Sequence, residues 1–177
     1  NCTTAPTGET CTVTVPAPTG QVNYRFDLLD ASSNKLATLT QAYTIAAGTS
    51  ANLQAVLQGI VASVAIFTPT LNAGTSFSGP ITVEAFDASG ALIVGAAPYN
   101  NTFTLTDGDA SGATSLTNNA TTGLTVTVSS PNDVVILNFD GEAIDPFAIS
   151  ATIAGQAPGA GGSVTVATTS GPVSFPG

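Results

Sequence analysis

Apolar and polar residues alternate with a period of two along most of this chain, the pattern of strands buried on one face. In QVNYRFDLLD (21–30), Val22, Tyr24, Phe26 and Leu28 fall on one face, and Asn23, Arg25 and Asp27 on the other. In CTVTVPAP (11–18), Val13 and Val15 alternate with threonines until prolines end the run. AYTIAAG (42–48), PITVEAFDASG (80–90), NTFTLTDG (101–108), GLTVTVSS (123–130), DVVILNFDG (133–141) and PFAISATIAG (146–155) repeat the pattern. Gly, Pro, Asn or Asp bounds each run and supplies its turn conformation. Short strands with frequent turns predict an all-β sandwich rather than a parallel α/β fold.

One stretch departs from this period. In residues 51–67, Leu53, Val56, Leu57, Ile60, Val61 and Val64 fall at helical spacing. Gly59 in the middle would cost a helix about 1 kcal/mol relative to Ala. The half from Ile60 to Phe67 is rich in β-branched residues, so two strands broken near Gly59 are expected, with a short helix over 51–58 as the alternative. The same break is taken as a domain boundary, giving domains 1–59 and 60–177.

An internal echo supports two domains. FDLLDASSNKLAT (26–38) and VEAFDASGALIVG (83–95) both place Asp-Ala-Ser before a turn and a second strand. Asp30 and Asp87 are expected to bond the turn backbone, and Gly90 tolerates a positive φ. These turns, with FTLTDGDASGATSL (103–116) and GLTVTVSS (123–130), resemble the bacterial immunoglobulin-like repeats of secreted and surface proteins, including invasin-type adhesins. The resemblance is fullest over 66–167. It implies two tandem Ig-like antiparallel β-sandwich domains in an extracellular scaffold, with no catalytic residues to carry over.

Composition narrows the function. Hydrophobic residues make up 43% of the 177, enough for a core, whereas charged residues make up only 7%. Two bases against eleven acids leave a net charge of -9, which opposes binding to nucleic acid or to anionic membrane surfaces. No apolar run approaches the roughly 20 residues of a membrane-spanning helix. The chain has no Met and begins with Asn, so an extracellular or cell-surface protein is expected, after signal-peptide removal. Cys2 and Cys11 are the only cysteines, and TAPTG between them can reverse the chain. A local disulfide is expected, as in an oxidising compartment.

The motifs carry little reaction chemistry. TDGDASG (106–112) sets Asp107, Asp109 and Ser111 at alternate positions, like the opening of a calcium loop. The position where such a loop needs a bidentate Glu is Asn118. A solvated turn is therefore the expectation, with calcium as the weaker alternative and no other cofactor. DGEAIDPF (140–147) gathers Asp140, Glu142 and Asp145, again expected to form a solvated turn. No histidine is present to act as a base, and Lys35 falls in an exposed turn, so no enzyme is expected. Sequons at Asn1, Asn100 and Asn119 are about as many as composition alone produces.

These readings predict an extracellular structural protein, the subunit of a surface filament built as a homopolymer by β-strand addition. One alternative is an adhesin or carbohydrate-binding module meeting a glycan or host surface through loops 96–103 and 107–123, with Tyr99 as its aromatic contact. Another is a passive stalk or spacer within a larger surface protein. In GAGGSVTVATTSGPVSFPG (159–177), SVTVAT is expected to close its own sandwich, and the candidate subunit contacts are Val164, Val166, Val173 and Phe175.

Overall fold

The structure, a computed structural model, describes residues 2–5, 8–48, 50, 52–157 and 161–169, and of residues 2, 4, 5 and 8–10 the backbone alone. Every regular element among the described residues is a β-strand. Strands β1 (Cys2–Ala5) and β2 (Gly8–Cys11) pair antiparallel, with Cys2 opposite Cys11. Strands β3 (Gly20–Leu29) and β4 (Lys35–Ile45) form a long hairpin, and β4 also pairs with β5 (Gln58–Gly59).

The chain forms two compact units, Asn1–Phe26 with Thr40–Ala55, and Asp27–Leu39 with Val56–Gly177. The long hairpin belongs to both, its open end to the first and its turn to the second. In the first unit the period-two pattern is realised: Val22, Tyr24, Phe26, Tyr43 and Ile45 are half-buried, while the residues between them are exposed. The Tyr24 ring lies 6.2 Å from Phe26 and 6.0 Å from Tyr43. The alternation ends at Leu28, which is 49% exposed. No described side chain of this unit is buried.

The second unit holds the core. Its strands are β6 (Ser63–Phe67), β7 (Leu71–Asn72), β8 (Phe77–Pro80), β9 (Thr82–Phe86), β10 (Phe103–Asp107) and β11 (Thr114–Asn118). They continue as β12 (Thr121–Gly123), β13 (Thr125–Val128), β14 (Val135–Phe139), β15 (Phe147–Ile153), β16 (Ser163–Val166) and β17 (Thr168–Thr169). One four-stranded sheet runs β13-β10-β15-β16 and the other β12-β11-β14-β8, both antiparallel. Phe103, Leu105, Val126, Ile149, Ile153 and Val166 of the first sheet share one buried cluster with Leu116, Val135, Leu137 and Phe139 of the second. This sandwich-like arrangement puts each strand's apolar face inward. β6 pairs with β9 antiparallel, and β17 pairs with β7 parallel.

The strands β14 and β15 define two poles of this unit. Tyr99 and residues 129–133 lie at one pole: Tyr99 N–H bonds Ser129 O at 2.8 Å, and the Tyr99 and Phe103 rings are 5.8 Å apart. Residues 107–111 and 140–147 lie at the other, together with β17, whose Thr168 Oγ1 is 3.3 Å from both Ile144 N and Ile144 O.

The stretch 51–67 follows the expected break only in part. β6 is a strand and Gln58–Gly59 a short one, but residues 52–57 form neither strand nor helix. Leu53 and Val56, which set the helical period, are 41% and 69% exposed, so that period has no core behind it. Gly59 is required by packing: a Cβ there would meet the Ile93 side chain.

The repeated Asp-Ala-Ser motif builds the same turn twice. Asp30 N–H bonds Asn34 O and Ser33 N–H bonds Asp30 O, both at 3.0 Å; Asp87 with Ala91 and Gly90 with Asp87 repeat both bonds at 3.0 Å. The Asp30 carboxylate accepts from Ser32 N–H and Asn34 N–H at 2.8 Å, and the Asp87 carboxylate from Ser89 N–H at 2.9 Å and Ala91 N–H at 3.1 Å. A side-chain bond from Asn34 contributes most to holding the Asp30 carboxyl below the usual aspartate range. The third loop residue is left-handed in both turns, at φ 66 for Ser33 and 81 for Gly90. That is the three-residue hairpin loop, with a turn followed by a left-handed residue.

Candidate functional site

The most densely bonded polar cluster joins β10 to β11. Asp107 and Asp109 are buried, at 3% and 6% exposure. Asp107 Oδ1 accepts from Asp109 N–H at 3.0 Å. Asp109 Oδ1 accepts from Ser111 N–H at 2.9 Å and from Ser111 Oγ at 2.6 Å. Asp109 Oδ2 accepts from Thr114 N–H at 2.9 Å. The Thr114 hydroxyl lies 2.9 Å from Asp107 Oδ2 and 3.2 Å from Asp109 Oδ2, yet it has one proton to give. Burial pushes the Asp107 carboxyl up, and the neighbouring Asp109 charge adds to this. Burial also opposes ionisation of Asp109, but bonds from Ser111 and Thr114 outweigh it and hold that carboxyl below the usual range.

The geometry is that of a loop clamp. The oxygens that would ligate a calcium ion instead accept bonds from their own loop. Asn118, at the position of the missing Glu, donates its Nδ2 to Thr127 O at 2.7 Å. A solvated turn was the expectation for 106–112; the structure buries both carboxylates because β10 delivers Asp107 inward, in phase with Phe103 and Leu105. Among the described residues no group of three acidic, His or Cys side chains could hold a metal.

Residues 140–147 do form an exposed connection. Asp140 accepts from Glu142 N–H at 2.9 Å, and Glu142 and Asp145 are exposed. This connection and residues 108–111 border a cleft of about 290 Å³, with Asp109 and Asp145 in its lining.

Tyr99 does not stand out from a loop surface. It is 7% exposed and packs on Phe103 in the core; burial first and the Asp133 charge second push its phenol up. Of the expected contact loop 107–123, most is the clamp and strands β11 and β12. The sequons at Asn100 and Asn119 are exposed, and Asn1 lies outside the described residues. Asp133 escaped notice in the sequence. Its carboxylate accepts from Ser129 N–H at 2.7 Å and Ser130 N–H at 3.2 Å, bonds that outweigh burial and lower its pKa. The signal was Ser-Ser-Pro-Asn-Asp after a strand, a turn-forming run.

Of the candidate subunit contacts, Val166 is buried and Val164 packs against the core, because β16 pairs with β15 of its own unit. Their side chains serve this chain's own sandwich. Val173 and Phe175 lie outside the described residues. The edge strands β8, β12, β13 and β16 read FSGP, TTG, TVTV and SVTV, without a charged residue. Both basic residues of the chain are on the long hairpin, where Lys35 Nζ pairs with Asp27 Oδ1 at 3.3 Å.

A second cleft, of about 260 Å³, lies at the Tyr99 pole. Val83, Ala85, Ile93, Tyr99 and Pro131 line it, with Glu84 as its one charged residue. No family model, curated protein or solved structure matches the chain.

Proposed function

We propose that this chain is an extracellular structural protein whose copies join by β-strand addition into a surface filament, with an Ig-like domain as the joining module. The observation that carries this reading is the set of four sheet edges without a charged side chain. Sheets that stay monomeric blunt their edges with lysine, proline or inward-pointing charge. Here no Lys or Arg follows Lys35, and Pro80 is the one edge proline. The Ig-like reading draws support from sheet neighbours that are distant in sequence, such as β10 between β13 and β15.

The carbohydrate-binding reading draws little support from Tyr99, which is 7% exposed and packs on Phe103. Negative-stain electron microscopy and sedimentation of the full chain test the proposal. Linear particles whose length grows with protein concentration are expected; monodisperse monomers at high concentration would overturn it.

A further inference from the structure

We infer that the cleft beside Tyr99 accepts Val173 and Phe175 from a second copy of this chain. The inference rests on the strand-addition reading above and names its acceptor. Residues 92–95 form part of the cleft's lining. Leu92 is bridged to Phe86 of β9 with Ile93 N–H on Ala85 O at 2.9 Å and Asp87 N–H on Ala91 O at 3.0 Å. That antiparallel pattern turns the N–H and C=O of Leu92 away from β9. No strand of the described residues pairs with that outer side. Leu92 and Val94 are 46% and 75% exposed, so the edge offers both unused main-chain groups and apolar surface.

The occupant is the segment that follows β17 in the sequence. PVSFP (172–176) alternates Val173 and Phe175, carries no charge and so meets no repulsion from Glu84. The two apolar side chains suit a cleft lined mostly by aliphatic groups, while the alternate main-chain groups suit an open edge. The cleft near 108–111 and 143–147 is lined by Asp109 and Asp145 and is a poor host for them.

Geometry selects a second copy over the chain's own tail. β15 runs from Phe147, opposite Val166, to Ile153, opposite Phe103, and its seven residues span about 20 Å. Thr169 is held beside Asn72 at the far pole. Val173 is four residues beyond it, a reach of at most about 14 Å. Its own cleft is out of range, whereas the cleft of a copy placed end to end is not. A donor at one pole and an acceptor at the other give a head-to-tail contact that does not close on itself, and so a filament.

The test uses three full-length proteins: the unaltered chain, Phe175→Ser, and Val94→Asp. The two variants are expected to melt together and cooperatively, since Val94 is exposed and neither variant polymerises alone. The unaltered chain should polymerise, each variant alone should sediment as a monomer, and an equimolar mixture should stop at dimers. A synthetic peptide of residues 170–177 added in excess should shorten the unaltered polymers. A monomeric unaltered chain would overturn strand addition and this acceptor together. Polymers that persist in both variants would overturn the acceptor alone and leave strand addition standing.

Discussion

A single hydroxyl proton between two buried carboxylates sets the chemistry of the 107–114 clamp. Thr114 can satisfy Asp107 or Asp109, and Asp107 carries the burial penalty. An amide at position 107 would donate to Thr114 Oγ1 and free its proton for Asp109. Asp107→Asn is therefore expected to raise stability at pH 7 by about 1 kcal/mol. The folded pKa of Asp107 is raised, so its contribution is fully present below the unfolded value and lost as pH rises through the folded one. The advantage of Asp107→Asn should accordingly shrink as pH falls and Asp107 protonates. Asp109 has the opposite sign: its folded pKa is lowered, so its contribution is present above the unfolded value and lost as pH falls through the folded one. Asp109→Asn should cost about 2 kcal/mol at pH 7. Urea melts of both variants at pH 4 and pH 7 measure these differences; equal effects at both pH values would refute the clamp. Cys2 and Cys11 face each other across β1 and β2, and a cross-strand disulfide is expected there. Maleimide labelling should find no thiol before reduction and two after, since the chain has two cysteines.

The two Asp-Ala-Ser hairpins differ at one informative position. Ser33 occupies the left-handed conformation that Gly90 holds in the other turn. A non-glycine residue there costs about 1 kcal/mol. Ser33→Gly should raise the stability of its hairpin by roughly 0.5–1 kcal/mol, and Gly90→Ser should lower it by about 1 kcal/mol, read by chemical denaturation. The motif was legible because Asp and Ser bond local backbone whatever lies around them. Residues 52–57 were not, because apolar periodicity reports a buried face only where another element covers it. Leu53 and Val56 have no such cover.

Across the whole molecule, stability is divided unevenly. Among the described residues, all the buried side chains belong to the second unit, and both trypsin sites, Arg25 and Lys35, lie on the long hairpin. Limited trypsinolysis should leave one resistant fragment, Leu36–Gly177, detectable by intact mass. Further cleavage cannot occur for want of basic residues, so loss of that fragment's fold after digestion would show that the hairpin stem is needed to hold the core. Because the clamp oxygens are already bonded within the loop, added calcium or a chelator is expected to leave the melting temperature unchanged, by differential scanning fluorimetry.

Strand period, turn chemistry and the low positive charge are properties of neighbouring residues and of composition. The sequence by itself therefore determined an all-β chain, its two matching turns and its scarcity of basic residues; the strand order decided which strands are edges. Tertiary structure decided which alternating residues face a core. Tyr99 reads as a loop aromatic until β10 and residue 129 enclose it, and Asp107 reads as solvated until β10 turns it inward. Val164 and Val166 could serve a neighbour or their own sheet until β15 pairs with β16. Each outcome depends on groups far apart in the chain, and local pattern carries no record of them.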